Sequence, residues 1–224
     1  MRALVPWASI AAVIAALAPA GCKSAERPPT KAGSTDPEAV GAGGLQALKP
    51  VSAFSDIADP AARSVALFRE AGRVITHARC INCHPPDDRP RQGSEQRAHI
   101  PEVFGGESGR GVPGLPCSSC HQATNTPVVG QTLRSVPGSP KWALAPAPMA
   151  WIGQSLGQIC EQIKDPKRNG GKTLAEIHHH MAEDVLVGWG WDPGPGLTPV
   201  PGTQKAFGEL IKAWIDTGAR CPEP

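Results

Sequence analysis

The sequence predicts a mainly helical, loop-rich chain with little or no sheet. Three observations carry that prediction. Four segments place apolar residues at helical spacing behind recognisable start signals. No segment alternates apolar and polar residues over strand length. Gly 25 and Pro 25 together exceed a fifth of the 224 residues, while Tyr is absent, Trp numbers 6 and Phe 4. A chain that short of aromatic side chains and that rich in turn formers verges on disorder. Its 40% hydrophobic content argues for a folded core completed by something other than side chains. The net charge of +2 gives no basic field for a nucleic-acid partner.

Taken in order, the chain opens with Arg2 and an apolar run from Ala3 to Ala18, ending in Pro19, Ala20, Gly21 and Cys22. A positive start, a short apolar run and small residues at its end read as an export signal over residues 1–21. Two processing patterns overlap. Ala18-Pro19-Ala20 suits ordinary signal cleavage, and Ala20-Gly21-Cys22 resembles a lipobox, in which Cys22 is acylated and becomes the new terminus. Pro19 stands where such motifs usually carry Leu. Both patterns put the mature chain outside the cytoplasm, in the periplasm, and the second tethers it to a membrane. Residues 22–50 are rich in Ala, Gly and Pro without period, which is the composition of a disordered tether. One folded unit is expected over 51–224.

Asp59-Pro60 opens a first helix, with Asp as N-cap and Pro at the first position. Ala61, Val65, Phe68, Gly72 and Ile75 mark one face. Residues 87–115 and 122–150 read as loops, broken by Gly and Pro. Ser155 to Asp165 reads as a short helix bearing Leu156, Ile159, Cys160 and Ile163. Thr173 and Glu176 form a capping box. Leu174, Ile177, His178, Met181 and Val185 follow as one stripe. Thr203 starts a last helix whose apolar face is Phe207, Leu210, Ile211, Trp214 and Ile215, and Gly218 ends it.

The chemistry is concentrated in the cysteines, at 22, 80, 83, 117, 120, 160 and 221. Four of them form two copies of one pattern, Cys80-Ile81-Asn82-Cys83-His84 and Cys117-Ser118-Ser119-Cys120-His121. C-x-x-C-H attaches haem c: two thiols add to the two vinyl groups on one edge of a porphyrin, and the His lies under the ring to bind iron. A zinc ribbon and a redox-active pair are the alternative readings of C-x-x-C. Neither requires His directly after the second Cys. His is 7 of 224 residues, so its presence after both pairs by chance has odds of about 0.1%. The expectation is therefore helices wrapped round two covalent haem c groups, with Cys80, Cys83, Cys117 and Cys120 as attachment points and His84 and His121 as metal ligands. Arg89, Arg91, Arg97 and Arg110 are candidate partners for haem propionates.

The sixth position of each iron decides between electron transfer and chemistry at an open metal. Candidates are His77, His99, His178, His179, His180, Met149 and Met181. His178, on the apolar stripe, His180, on its flank, and Met149, on a Pro-rich loop, are preferred. His179 should face solvent. If Cys22 carries lipid, Cys160 and Cys221 remain as an even pair, either a disulfide or two buried thiols. Trp142, Trp151, Trp189, Trp191 and Trp214 are expected against the porphyrin planes.

With both motifs in place, the chain resembles the dihaem c-type cytochromes. Leu210 to Ala219 is similar to the closing helix of cytochrome c domains. Trp151 to Cys221 resembles exported bacterial chains labelled as a subunit of isoquinoline 1-oxidoreductase. The similarity runs through Ile163-Lys164-Asp165-Pro166, Asn169-Gly170-Gly171-Lys172 and Val187-Gly188-Trp189-Gly190-Trp191. The resemblance implies a cytochrome c-like fold and an electron carrier. Its partner would be a redox protein, such as a molybdenum hydroxylase, that delivers electrons bound for the respiratory chain. The chain would not itself be an enzyme. A dihaem peroxidase-like oxidoreductase with one open iron is the alternative.

Overall fold

The computed structural model describes residues 47–128 and 135–224, all within one compact unit. The expected export signal, Cys22 and the expected tether up to residue 46 lie outside the described residues. The folded part starts before residue 51. Leu48 is buried, and the Lys49 N–H donates to Glu70 Oε1 at 3.0 Å.

Among the described residues six α-helices carry the fold: α1 (Pro60–Ile75), α2 (Ala78–Ile81), α3 (Leu156–Lys164), α4 (Leu174–Glu183), α5 (Val185–Gly188) and α6 (Gln204–Asp216). Their starts are fixed locally. Asp59 accepts from the backbone of Ala61 and Ala62 with Pro60 in the first turn, and full capping boxes join Ser155 to Gln158 and Thr173 to Glu176. The Thr203 hydroxyl accepts from Ala206 N–H. The end of α6 is equally well defined. Gly218, at φ 100°, lets its own N–H reach Ile215 O at 3.0 Å and the Ala219 N–H reach Trp214 O at 2.9 Å, the paired closure of a Schellman motif.

α6 packs on both α1 and α4. The α1–α6 crossing is filled by Phe68 and Trp214, whose ring centroids lie 4.8 Å apart. Ser64 is fully buried there without penalty. Its hydroxyl donates to Trp214 O at 3.1 Å and accepts from the Arg220 N–H at 2.9 Å. α3 joins this core through Ile159, Cys160 and Ile163, and Cys160 is bonded to Cys221 with 5.6 Å between Cα atoms, inside the range the bond requires. The helical core is thus closed by side chains of the chain itself.

Two expectations about faces change. α1 turns Ser64, Leu67, Phe68, Ala71, Val74 and Ile75 inward, while Ala61 is exposed and Val65 only half-buried. The stripe from Leu174 to Val185 is interrupted. Asp184 accepts from Leu186 N–H and caps a new helix, so the chain turns there and Val185 is left exposed. The sheet content is three two-residue antiparallel ribbons: β1 (Arg91–Gln92) with β2 (Arg97–Ala98), β3 (Gly111–Val112) with β4 (Leu115–Pro116), and β5 (Thr126–Pro127) with β6 (Ser135–Val136).

Candidate functional site

The first motif grows out of a helix end. α1 stops at Thr76, and the imidazole of His77 caps α2 by accepting from Arg79 N–H at 3.2 Å. Cys80 lies in α2, and the turn continues through Cys83 N–H to Cys80 O and His84 N–H to Ile81 O. The second motif has no such helix before it. A 3-10 turn over Cys117–Ser119, with His121 N–H to Cys117 O at 3.0 Å, presents it from a loop.

Two different local structures nevertheless build the same imidazole environment. His84 Nδ1 is 2.7 Å from Met149 O, and His121 Nδ1 is 2.7 Å from Pro137 O. A carbonyl only accepts, so Nδ1 carries the proton in both rings and Nε2 keeps its lone pair. Each ring also stacks on an indole: His84 on Trp151 at 3.4 Å and 5°, His121 on Trp142 at 4.5 Å and 11°. This is how ligating histidines are held: the far nitrogen bonded, the tautomer fixed and the plane set. Burial pushes the His84 imidazole down to about 3, against the pull of the Met149 carbonyl, with His180 close enough to add to the effect. Burial lowers His121 as well. Both rings are neutral near pH 7 and available as ligands.

The supporting loops are specific. Residues 145–151 run back over the first motif, with Ala145 N–H on Cys83 O at 3.0 Å and Trp151 N–H on His84 O at 2.9 Å. Around the second motif Asn125 is the organiser. It takes Gly138 N–H and Trp189 Nε1–H on Oδ1 and donates Nδ2–H to Asp192 O. Gly138 is required at that position, because a Cβ would run into the backbone of Thr124. Trp189 meets Trp142 edge-on at 5.1 Å.

The four motif cysteines are free thiols. Burial, reinforced by Cys83, pushes Cys80 up to about 12, and burial pushes Cys83 up to about 11. Among the described residues no three His, Cys, Asp or Glu side chains are grouped to hold a metal ion. A cavity of about 530 Å³ is lined by Cys83 of the first motif and by Cys117, Cys120 and His121 of the second. That volume lies within the range of about 300–1,000 Å³ typical of cofactor sites.

Arg79 also lines this cavity. It is 5% exposed, its Nη2 donates to Ser94 Oγ at 3.1 Å, and its Nε has no partner. Burial holds its pKa below the ordinary arginine value. A buried cation with an open donor suits a carboxylate such as a porphyrin propionate. Of the arginines expected in that role, Arg91 and Arg97 line the cavity, Arg91 also pairs with Asp87, and Arg89 pairs with Glu102. Arg79 carries no sequence signal for this role: it directly precedes the motif, and only the folding of α2 turns it inward. Thiols for two vinyl groups, an imidazole with a free Nε2 and a buried cation together fit a covalently held iron porphyrin.

The candidate sixth ligands go to different places. His178 is half-buried in a shallow groove with Val51, Lys205 and Glu209, away from both motifs. His179 is exposed and pairs with Glu183 at 3.0 Å. His180 places Nδ1 3.2 Å from Asp184 Oδ2 and lies close enough to His84 to lower that imidazole. Met149 is buried, and its backbone carbonyl oxygen lies 2.7 Å from His84 Nδ1. Met181 belongs to the core. Of the tryptophans, Trp142 and Trp151 serve the motif histidines, while Trp214 and Trp191 pack on Phe68 and Phe207 in the core. Comparison with protein-family models, with curated protein sequences and with solved structures finds no match to the chain.

Proposed function

We propose that the protein is an exported dihaem c-type cytochrome that carries single electrons between redox proteins. One observation carries the reading. Both C-x-x-C-H motifs end in an imidazole whose face lies on a tryptophan and whose Nδ1 is bonded to a distant backbone carbonyl, 65 residues downstream for His84 and 16 for His121. Motifs that recur by chance have no reason to recruit the same kind of supporting shell, here from two ends of one segment, residues 137–151. Cys80 and Cys83 would hold one haem and Cys117 and Cys120 the other, each thiol adding S to one vinyl carbon and H to its neighbour. The iron supplies a reversible one-electron couple when bound. His84 and His121 would each hold one iron through Nε2, and the two carbonyls keep their protons on Nδ1. Trp151 and Trp142 fix the ring planes and exclude water from one face of each imidazole.

The donor would be a dehydrogenase outside the cytoplasm, such as a molybdenum hydroxylase, and the acceptor the respiratory chain. Acylation at Cys22 would tether the carrier to a membrane, with the segment from Cys22 to residue 46 as its reach. The test is intact mass and haem staining of the full chain, co-expressed with haem-maturation proteins and run under denaturing conditions. The wild type is expected to carry two covalent haems. The double variants Cys80→Ala/Cys83→Ala and Cys117→Ala/Cys120→Ala should each carry one. A chain with no covalent haem overturns the reading.

A further inference from the structure

His99 reaches the second motif from a separate hairpin. It follows β2 directly, its N–H donates to Pro90 O at 3.1 Å, and the next N–H, of Ile100, donates to Gln92 Oε1 at 3.1 Å. The β1–β2 ribbon is in turn tied to the first motif. Arg91 N–H donates to Asn82 O at 3.3 Å, and Asn82 Nδ2–H donates to Gly93 O at 2.8 Å. His99 is therefore positioned by hydrogen bonds on both sides.

Three features of His99 match what a ligand of the second iron needs. It lines the same cavity as Cys117, Cys120 and His121. Its Nδ1 is 2.8 Å from Pro101 O, the same far-nitrogen bond that His84 and His121 make, so its Nε2 also keeps the lone pair. Its ring centroid is 6.0 Å from that of His121, with the planes at 59°. Two imidazoles bound on opposite sides of one ion, with metal–nitrogen bonds of about 2.0–2.1 Å each, hold their centroids about 6 Å apart once the ring radii are added. Rotation of one ring about the shared axis leaves that distance unchanged, so the 59° angle is compatible. Among the other histidines, His77 is occupied as the cap of α2, and His178 and His180 lie on α4, His178 in an outer groove and His180 near His84.

We propose that His99 Nε2 is the sixth ligand of the iron bound by His121, which makes the second haem bis-imidazole. The proposal rests on the dihaem reading. It implies a low-spin iron, closed to small ligands, with a potential below that of a His/Met pair. It also means that a ribbon hung from the first motif ligates the metal of the second.

The test uses the full haem-loaded chain and its His99→Ala and His99→Met variants. Readouts are covalent haem count, electron paramagnetic resonance and absorption of the oxidised form, and potentiometric titration. In His99→Ala the haem count stays at two, one iron becomes high-spin and binds cyanide, and added imidazole restores the low-spin signal. In His99→Met one iron shows His/Met character and a raised potential, which decides the matter should His99→Ala fail to mature. The proposal is overturned if both irons keep the wild-type spin state and potentials in these variants. Absence of covalent haem in the wild type would instead remove the reading beneath it.

Discussion

Cys160 is wholly buried on α3 and Cys221 lies just beyond α6, so their bond ties the chain end back onto a helix 61 residues earlier. Replacing both with Ala frees that loop in the unfolded ensemble. The loop-closure expression for a ring of this size gives about 4 kcal/mol at 25 °C. Loss of the buried Cys160 sulfur adds to it, because Ile159, Ile163 and the α1–α6 core leave little room for collapse. Urea unfolding followed by far-ultraviolet circular dichroism measures the effect. With a slope of about 2 kcal/mol per molar urea, the midpoint of Cys160→Ala/Cys221→Ala should fall by about 2 M. Reduced wild type should fall nearly as far. A midpoint lowered by less than about 0.5 M, with unchanged slope, would refute the idea that this bond closes the helical core.

Acid should weaken the haem-free chain (the four motif cysteines replaced by Ala) before any carboxylate titrates. His84 is held down to about 3 and His121 is also lowered, so below pH 6.5 the unfolded chain binds protons that the folded chain refuses, and stability falls as pH falls. The loss is at most about 1.4 kcal/mol per pH unit per histidine, and His84→Gln should flatten thermal-unfolding profiles between pH 6.5 and 5. Gly138→Ala should cost about 1–3 kcal/mol and displace Pro137 O from His121, read as a change in the second haem's spectrum with the first unchanged. Asp59→Ala removes the cap of α1 and should cost about 1 kcal/mol in the same urea assay.

The helices were legible because their signals are local. Asp59-Pro60, Thr173 with Glu176, and Gly218 act within a turn or two, and the structure places helix ends at all three. Faces were less legible. The 174–185 stripe satisfies helical spacing on paper, yet Asp184 caps a new helix and redirects the chain. The ribbons escaped because two residues cannot display a period of two. At the site, the motifs announce themselves in five residues each, whereas what holds them does not. Met149 O, Pro137 O, Trp151 and Trp142 are assigned to their histidines by tertiary folding alone. His99 sits in a Gly- and Arg-rich loop with no apolar period to mark it. The preferred His178 instead carried an apparent core position that the packing of α4 against α6 turned toward a groove.

The proposed function requires two porphyrin irons, each on the Nε2 of a motif histidine, that pass electrons one at a time. Coulometric titration of the purified mature protein, with iron and zinc measured on the same sample, tests it most directly. Two irons and no zinc per chain, two electrons taken up reversibly, and haem c bands in the reduced spectrum are expected. Zinc without iron, or no reversible uptake of electrons, would contradict it.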